Sequence, residues 1–260
     1  MPITSLLTIS WKKFFSQVGV YLRERRTPWR LRILVSFFRG FFKNPMKALR
    51  YGRHLTVEMK SVLRFNLHLH GLVYLRIFYE EAGLLGMTPF FFWGTLLGYV
   101  REKSFLRHDY DLDLAILAKD YARIDRLIGA MKNRGFSLRL NVPYKLSFWA
   151  PGGLLYLDID LVYPFRRQMI TSMPSERDGH ICAHSFETSS LEPLRQAFFL
   201  NSLQIWIPNK PERVLKKIYG QWRIEKKAYD YEAGPLNVIK DAESLGIGLR
   251  SFTEWSQTRP

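Results

Sequence analysis

Three aspartates with alternating spacing are the residues of this chain best suited to chemistry. Asp109, Asp111 and Asp113 are separated by Tyr110 and Leu112. Because alternate side chains of a β-strand share one face, Asp111 and Asp113 would project together. Two adjacent carboxylates repel each other unless a cation lies between them. The spacing therefore predicts a divalent-metal site.

A second acidic pair, Asp158 and Asp160, has the same spacing within an apolar stretch. If its strand lies beside the strand of Asp111 and Asp113, three or four carboxylates converge, and all four residues are predicted metal ligands. Two metal ions about 3.5–4 Å apart could then hold the attacking and leaving oxygens of an in-line displacement. Mg²⁺ is the expected ion because it suits hard oxygen ligands and phosphate, with Mn²⁺ as the alternative.

Small residues upstream of the first acidic pair predict a phosphate contact. Gly94 lets the backbone approach a phosphate closely, and the hydroxyl of Thr95 can donate to a phosphate oxygen. The N–H groups at the start of the following helix can donate as well. Arg101 lies about two helical turns further on. It is either a bidentate phosphate partner or a member of a surface ion pair.

Other polar residues near these positions are interpreted as structural. Asp109 is expected to cap a turn or to orient a metal ligand without binding the metal itself. Lys145 is expected to be a solvated strand end, with phosphate contact as the alternative. His180, Cys182 and His184 lie in an expected loop. Because no second Cys or His cluster accompanies them, they do not complete a set of four zinc ligands.

The elements that must position these residues form an expected α+β domain. Apolar residues near helical spacing predict helices over 54–81, 95–100 and 120–134, and the tail is expected to be mostly helical, including 212–219. Short apolar runs bounded by turn residues predict strands over 90–93, 111–117, 137–140, 145–150 and 154–163. The expected architecture is a mixed, partly antiparallel sheet flanked by helices.

The charge of the chain is concentrated near its N-terminus. The formal net charge is +16, and residues 1–53 hold twelve Lys or Arg against one acid, Glu24. Aromatic residues interleave with these cations, a mixture typical of a helix on an anionic membrane surface. Packing against the main domain is the alternative, and nucleic acid is disfavoured because no nucleic-acid motif accompanies the segment. We therefore expect a basic N-terminal helical arm over 1–53 and one main domain over 54–260.

The composition also bears on location. A single cysteine, Cys182, rules out an intramolecular disulfide and is compatible with a reducing compartment. Residues 1–10 lack the basic leader of a secretory signal. The apolar run over 33–42 is interrupted by Arg39 and has about half the length of a membrane span. A cytoplasmic protein is expected, with peripheral membrane attachment as an option.

A longer run of residues resembles a known family. The run Trp-Gly-Thr-Leu-Leu-Gly-Tyr-Val-Arg over 93–101, followed by Asp-x-Asp-x-Asp-Leu over 109–114, resembles the LicD/fukutin family of the nucleotidyltransferase superfamily. A proline-containing helix start and an aromatic-Gly-x-Trp element of that family match residues within 207–222. The resemblance covers about residues 54–231. It departs from the family at 108–111, where His-Asp-Tyr-Asp stands in place of the usual Trp-Asp-Asp-Asp.

The resemblance implies a nucleotidyltransferase-like fold and a metal-dependent phosphotransferase. The donor would be a CDP-activated alcohol, such as CDP-choline, CDP-ribitol or CDP-glycerol, and the acceptor a hydroxyl of a glycan or lipid-linked saccharide. By position, Asp111 and Asp113 would be catalytic metal ligands, and the Gly-Thr pair would contact the donor phosphates. Asp160, or Asp158 in its place, would be the third carboxylate, which bridges metal or accepts the hydroxyl proton.

Two other functions would use the same residues differently. A conventional nucleotidyltransferase would move a nucleoside monophosphate onto a small molecule or RNA and release pyrophosphate. A membrane-associated scaffold would keep the fold without catalysis, which the intact acidic set argues against. Product analysis separates the two enzymes, because the phosphotransferase releases CMP.

Deleting residues 1–53 should weaken binding to anionic liposomes at low salt, because the arm carries most of the positive charge. Co-sedimentation of the full-length and truncated proteins with phosphatidylserine vesicles measures the effect, and neutral phosphatidylcholine vesicles provide the control. Equal binding of the two proteins would instead make the arm a packing or partner element.

Overall fold

The computed structural model describes the chain from Val57 onward, with gaps. It covers residues 57–142, 144–153, 155–165, 167–174, 181–225 and 238–239. The basic arm over 1–53 lies outside the described residues, as does His180 of the zinc alternative. The membrane contact expected for the arm therefore stays a prediction.

The described residues form α-helices, a 3-10 helix and mostly short strands. The helices are α1 (Val57–Leu84), α2 (Trp93–Glu102), α3 (Ile124–Asn133), α4 (Thr188–Leu191) and α5 (Pro211–Tyr219), with a 3-10 helix (Ala118–Arg123) before α3. The strands are β1 (Phe90–Phe91), β2 (Leu112–Leu117), β3 (Ser137–Val142), β4 (Lys145–Trp149), β5 (Tyr156–Phe165), β6 (Gln168–Pro174), β7 (Ile181–Glu187), β8 (Arg195–Phe199), β9 (Leu203–Ile207) and β10 (Val238–Ile239).

Strands β2 and β5 connect the two halves of a mixed sheet. The strand order is β10-β7-β6-β5-β2-β1-β9-β8, and β4 joins β5 to β3. β2 and β5 pair in parallel, as β1 and β9 do, whereas the other pairs are antiparallel. Residues 156–160 of β5 pair with β4, and its end over 163–165 pairs with β6. The mixed sheet with helices against it confirms the predicted α+β fold class.

Burial explains why β2 and β5 are central strands. Every side chain of β2 is buried except the half-buried Asp113. In β5, residues 156–163 are all buried. Strands enclosed on both faces read as continuous apolar runs, and a buried polar group is costly unless it is hydrogen-bonded. The carboxylates within these two strands therefore require partners.

The helices predicted on either side of β2 begin differently in the structure. α2 begins at Trp93, before the predicted start, because the Leu96 N–H already donates to the Phe92 carbonyl (2.8 Å). The helix predicted over 120–134 opens with a tighter 3-10 turn around the buried carboxylate of Asp120 and becomes α-helical only in α3. Both differences concern helix ends, where side-chain and backbone partners decide the hydrogen bonding.

The tail after β5 contains strands that the sequence interpretation missed. Residues 168–174 and 181–207 include β6, β7, β8 and β9, so the expectation of a mostly helical tail is wrong there apart from the single turn of α4. The signal is the alternating burial of β9, in which Leu203 and Ile205 point inward and Gln204 outward, a period typical of strands. His184, which was assigned to a loop, is buried in β7.

Helix α1 packs against β2, β9 and α3. Leu67, Leu75 and Phe78 on this helix are fully buried. Near its end, Glu81 accepts a hydrogen bond from Arg134, which follows α3 (2.5 Å). Among the helices of the described ranges, α1 included, none combines the length and apolarity needed to cross a bilayer.

Alanine substitution of two helical glycines should change the free energy of unfolding in opposite directions. A Cβ on Gly98 of α2 would lie 2.5 Å from the Ser104 carbonyl oxygen and 3.0 Å from the Leu106 nitrogen, both backbone atoms. Gly98→Ala should therefore lower the free energy of unfolding by about 1–3 kcal/mol. Gly129→Ala in α3 meets no atom within 4 Å and should raise it by about 0.5–1 kcal/mol. Urea unfolding measures both, and equal effects would contradict the close approach at Gly98.

Candidate metal centre

The register between β2 and β5 brings the two acidic pairs together. Asp113 lies opposite Asp158, and Ala115 lies opposite Asp160. In parallel strands with this register, Asp113, Asp158 and Asp160 occupy the same face of the sheet. The predicted proximity of the two acidic strands is therefore confirmed, while the roles assigned to these residues stay predictions.

Three carboxylates among the described residues lie close enough together to hold a metal ion. Asp109, Asp111 and Asp113 are half-buried, and one oxygen from each lies within 4.8 Å of the others. Asp109 was interpreted as a turn residue, and its Oδ1 does accept the Tyr110 N–H (3.1 Å). Its Oδ2 nevertheless faces Gly94 beside the Asp113 carboxylate. The continuing Asp-x-Asp-x-Asp spacing was the signal for its membership in the cluster.

The three carboxylates disfavour one another's charged forms. Burial, followed by repulsion from Asp111 and Asp113, raises the pKa of Asp109 well above its usual range. Burial, followed by repulsion from Asp111, does the same to the pKa of Asp113. Burial also raises the pKa of Asp111. A cation among the three would favour the charged forms, so this all-oxygen set fits a hard divalent ion such as Mg²⁺ or Mn²⁺.

Asp158 already has protein donors at both of its oxygens. Its Oδ2 lies 2.8 Å from the Lys145 ammonium. Its Oδ1 accepts hydrogen bonds from the Ser147 hydroxyl (2.5 Å) and from Arg139 Nη1 (3.4 Å). Ser147 stands opposite Asp158 across β4 and β5. The pairing of these strands therefore supplies the groups that offset the burial of this carboxylate.

Asp160 is held in a similar way from three elements. Its Oδ2 accepts the indole N–H of Trp93 (2.6 Å) and the hydroxyl of Thr171 (3.4 Å). Its Oδ1 lies 3.6 Å from the Lys145 ammonium. Burial raises the pKa of Asp160, and Lys145, followed by the Trp93 hydrogen bond, opposes that shift.

Lys145 is an internal cation and not the solvated strand end expected from the sequence. It begins β4 directly opposite Asp160, and its ammonium lies between Asp158 and Asp160. Burial lowers the pKa of Lys145, but the attraction of Asp160 and then Asp158 outweighs it, and the net shift is upward. The lysine therefore stays charged, and the sequence alone could not show which strand faces it.

Gly94 and Thr95 both hold the first acidic strand. The Gly94 N–H donates to Asp113 Oδ2 (3.0 Å), and the Thr95 hydroxyl accepts the Asp113 N–H (2.8 Å). Thr95 is buried. These bonds attach the start of α2 to β2 at the edge of the cluster. The phosphate contact predicted for the pair stays a prediction.

Arg101 makes its described contacts at the other end of α2. Its guanidinium pairs with Glu102 (3.0 Å) and donates to the Trp222 carbonyl (3.4 Å). Trp222 is itself buried. The phosphate contact that was one alternative for Arg101 stays a prediction.

An arginine–aromatic cluster beside the carboxylates was missed in the sequence. The Arg139 guanidinium lies over the rings of Tyr156 (4.7 Å) and Trp149 (5.7 Å), and Tyr110 approaches Tyr156 at 6.3 Å between ring centroids. Burial, followed by the charge of Asp111, raises the pKa of Tyr156. These residues come from β3, β4, β5 and the segment before β2, so no local motif could have grouped them.

The part of the chain that contains this site is similar in sequence to known proteins. A family model described as LicD/FKTN/FKRP, nucleotidyltransferase domain, matches residues 86–210. Uncharacterized protein RP689 of Rickettsia prowazekii is 26% identical over 145 residues, which cover 56% of this chain and 51% of that protein. Uncharacterized protein RT0683 of Rickettsia typhi is 23% identical over 174 residues, covering 65% of this chain and 53% of that protein. The chain thus spans about half the length of the curated relatives it matches.

Gly94→Ala should spread the carboxylates without unfolding the domain. An added Cβ would lie 2.5 Å from Asp109 Oδ2 and 3.0 Å from Asp113 Oδ2, and these side-chain atoms can move aside. Misplaced ligands should lower Mn²⁺ affinity by about 10- to 100-fold, the range for disturbing the groups that orient metal ligands. Calorimetric titration with Mn²⁺ measures the loss. Gly83→Ala, where no atom lies within 4 Å, is the matched control, and equal affinities would contradict this account.

Proposed function

We propose that this chain, whose residues 86–210 match the family model described as LicD/FKTN/FKRP, nucleotidyltransferase domain, is a metal-dependent phosphotransferase. The proposed donor is a CDP-activated alcohol, with choline, ribitol or glycerol as the alcohol. The proposed acceptor is a hydroxyl of a glycan or lipid-linked saccharide. The meeting of Asp109, Asp111 and Asp113 beside the start of α2 is the observation that carries the proposal.

The proposed centre binds Mg²⁺ through this carboxylate cluster, with Mn²⁺ as the alternative ion. When bound, the ion would neutralise the donor diphosphate and the charge that develops during transfer. Gly94 leaves room for the Asp109 and Asp113 side chains and fixes Asp113 through its N–H. The start of α2 lies at the cluster, so its backbone N–H groups are the proposed phosphate donors. Positioning and electrostatics would be the main contributions of the protein.

The proposed reaction is an in-line displacement at the phosphorus that carries the alcohol. The acceptor hydroxyl oxygen forms a new P–O bond, the P–O bond to the CMP phosphate breaks, and CMP leaves with the electron pair. The hydroxyl proton passes to a carboxylate, for which Asp160 is the first candidate and Asp158 the second. Burial raises the pKa of Asp160, which favours a carboxylate as proton acceptor.

A conventional nucleotidyltransferase is the second candidate function. The description of the matching family model as a nucleotidyltransferase domain favours it, and it would use the same carboxylates. In that reaction the acceptor would attack the α-phosphorus of a nucleoside triphosphate, and pyrophosphate would leave. The nucleotide product therefore distinguishes the two candidates.

Membrane attachment is part of the same proposal. An acceptor on a lipid would be met at a membrane surface, and the twelve Lys or Arg of residues 1–53 suit an anionic one. We propose a cytoplasmic enzyme that is peripheral at the membrane, and we do not propose nucleic acid as a partner.

Asp111→Asn and Asp113→Asn should each lower donor turnover by at least about 100-fold, the scale for removing one electrostatic catalytic group. The fold should persist, because each substitution relieves repulsion within the cluster. Turnover is measured as CMP release with CDP-ribitol, CDP-glycerol and CDP-choline, and circular dichroism checks the fold. Asp125→Asn, at an exposed position of α3, is the matched control. Normal turnover in Asp113→Asn would remove the proposed role.

Donor identity is best approached by a thermal-shift screen of CDP-alcohols and nucleoside triphosphates with Mg²⁺. A ligand at a hundred times its Kd should stabilise the protein by about 2.7 kcal/mol. Stabilisation by a CDP-alcohol, followed by CMP release, supports the phosphotransferase. Stabilisation by a triphosphate, followed by pyrophosphate release, supports the second candidate, and the absence of any stabilisation opposes both enzymes.

A further inference from the structure

The Lys145 ammonium lies between two carboxylates, Asp158 and Asp160, that the sequence predicts as metal ligands. It lies 2.8 Å from Asp158 Oδ2 and 3.6 Å from Asp160 Oδ1. We propose that this ammonium replaces the second metal ion, so that the domain binds a single divalent ion at Asp109, Asp111 and Asp113. The inference rests on the proposed metal-dependent function and departs from the two ions expected from the sequence.

The pairing of β4 with β5 fixes Lys145 beside the second acidic pair. Lys145 stands opposite Asp160, and Ser147 opposite Asp158, across β4 and β5. Cross-strand neighbours on one face are held close by the ladder itself. The ammonium therefore reaches both carboxylates from a fixed backbone position.

The remaining oxygens of the second acidic pair also have protein donors. Asp158 Oδ1 accepts from Ser147 and Arg139, and Asp160 Oδ2 accepts from Trp93 and Thr171. A second ion bridging the pair would have to displace the ammonium or bring two like charges into contact. By contrast, the contacts described for the three-carboxylate cluster include no lysine or arginine within ion-pair distance.

This arrangement would let Lys145 contact the substrate as well as the second acidic pair. An ammonium has three donors, and its two described ion-pair partners are Asp158 and Asp160. The third N–H of the ammonium would then be available to a phosphate oxygen of the CDP-alcohol. One divalent ion held by the three-carboxylate cluster and the Lys145 ammonium would together supply the positive charge that offsets the donor phosphates.

Counting Mn²⁺ ions bound per chain tests the proposal on the full-length protein. Titration calorimetry and electron paramagnetic resonance of free Mn²⁺ should give one ion in the wild type and one in Lys145→Arg. Lys145→Met should bind two, because the vacated oxygens of Asp158 and Asp160 become available to metal. Lys132→Met, on the exposed surface of α3, is the matched control and should bind one.

The number of bound ions separates the replacement of the second metal ion from the proposed metal-dependent function. Two ions in the wild type, or one ion in a folded Lys145→Met protein, would overturn the replacement of the second metal and leave the proposed phosphotransferase intact. No Mn²⁺ binding by the wild type would instead contradict the proposed metal-dependent function. If circular dichroism shows that Lys145→Met is unfolded, the wild type and Lys145→Arg decide: one ion in each supports the inference, and two in either overturns it.

Discussion

The parallel pairing of β2 with β5 places negative charge in the interior, and the surrounding structure offsets that charge. Asp113 and Asp158 are neighbours in this register, and enclosed carboxylates are costly without partners. The partners come from separate elements: the Gly94 N–H from α2, the Lys145 ammonium from β4 and the Arg139 guanidinium from β3. The outer strands therefore contribute cations as well as apolar surface.

The negative charge of the two acidic groups is offset in different ways. Asp158 and Asp160 receive donors from the protein at each oxygen, and their charge is balanced within the fold. The cluster at Asp109, Asp111 and Asp113 keeps its mutual repulsion. Two backbone N–H groups donate to it, and the attraction of Lys145 opposes the rise in the pKa of Asp111 and Asp113 without cancelling it. Both groups consist of aspartates, so only their neighbours distinguish a carboxylate that is paired within the protein from one that is left to bind a metal ion. This difference also underlies the separate roles proposed for the two groups.

The sequence was sufficient to predict the two acidic pairs but not the residues that surround them. Alternating aspartates within apolar runs were sufficient to predict two acidic strands and their proximity, since burial leaves few other arrangements. The role of Lys145 depends on the register of β4 with β5, which no local pattern specifies. Strands β6, β7 and β8 were missed because polar residues interrupt or flank their few apolar residues, and β6 ends in a proline, whereas the alternation of β9 was present in the sequence and overlooked.

Trp93 links the start of α2 to two strands that come much later in the chain. It is a non-glycine residue with φ of +37° at the start of α2, and its indole both donates to Asp160 and packs edge-to-face on His184 (4.8 Å). One side chain therefore joins segments that are far apart along the chain, and closing such long loops is entropically costly. The contacts of Trp93 are therefore complete only when α2, β5 and β7 are packed together. Damage to the β6–β7 hairpin could therefore dismantle the centre while every carboxylate remained in the chain.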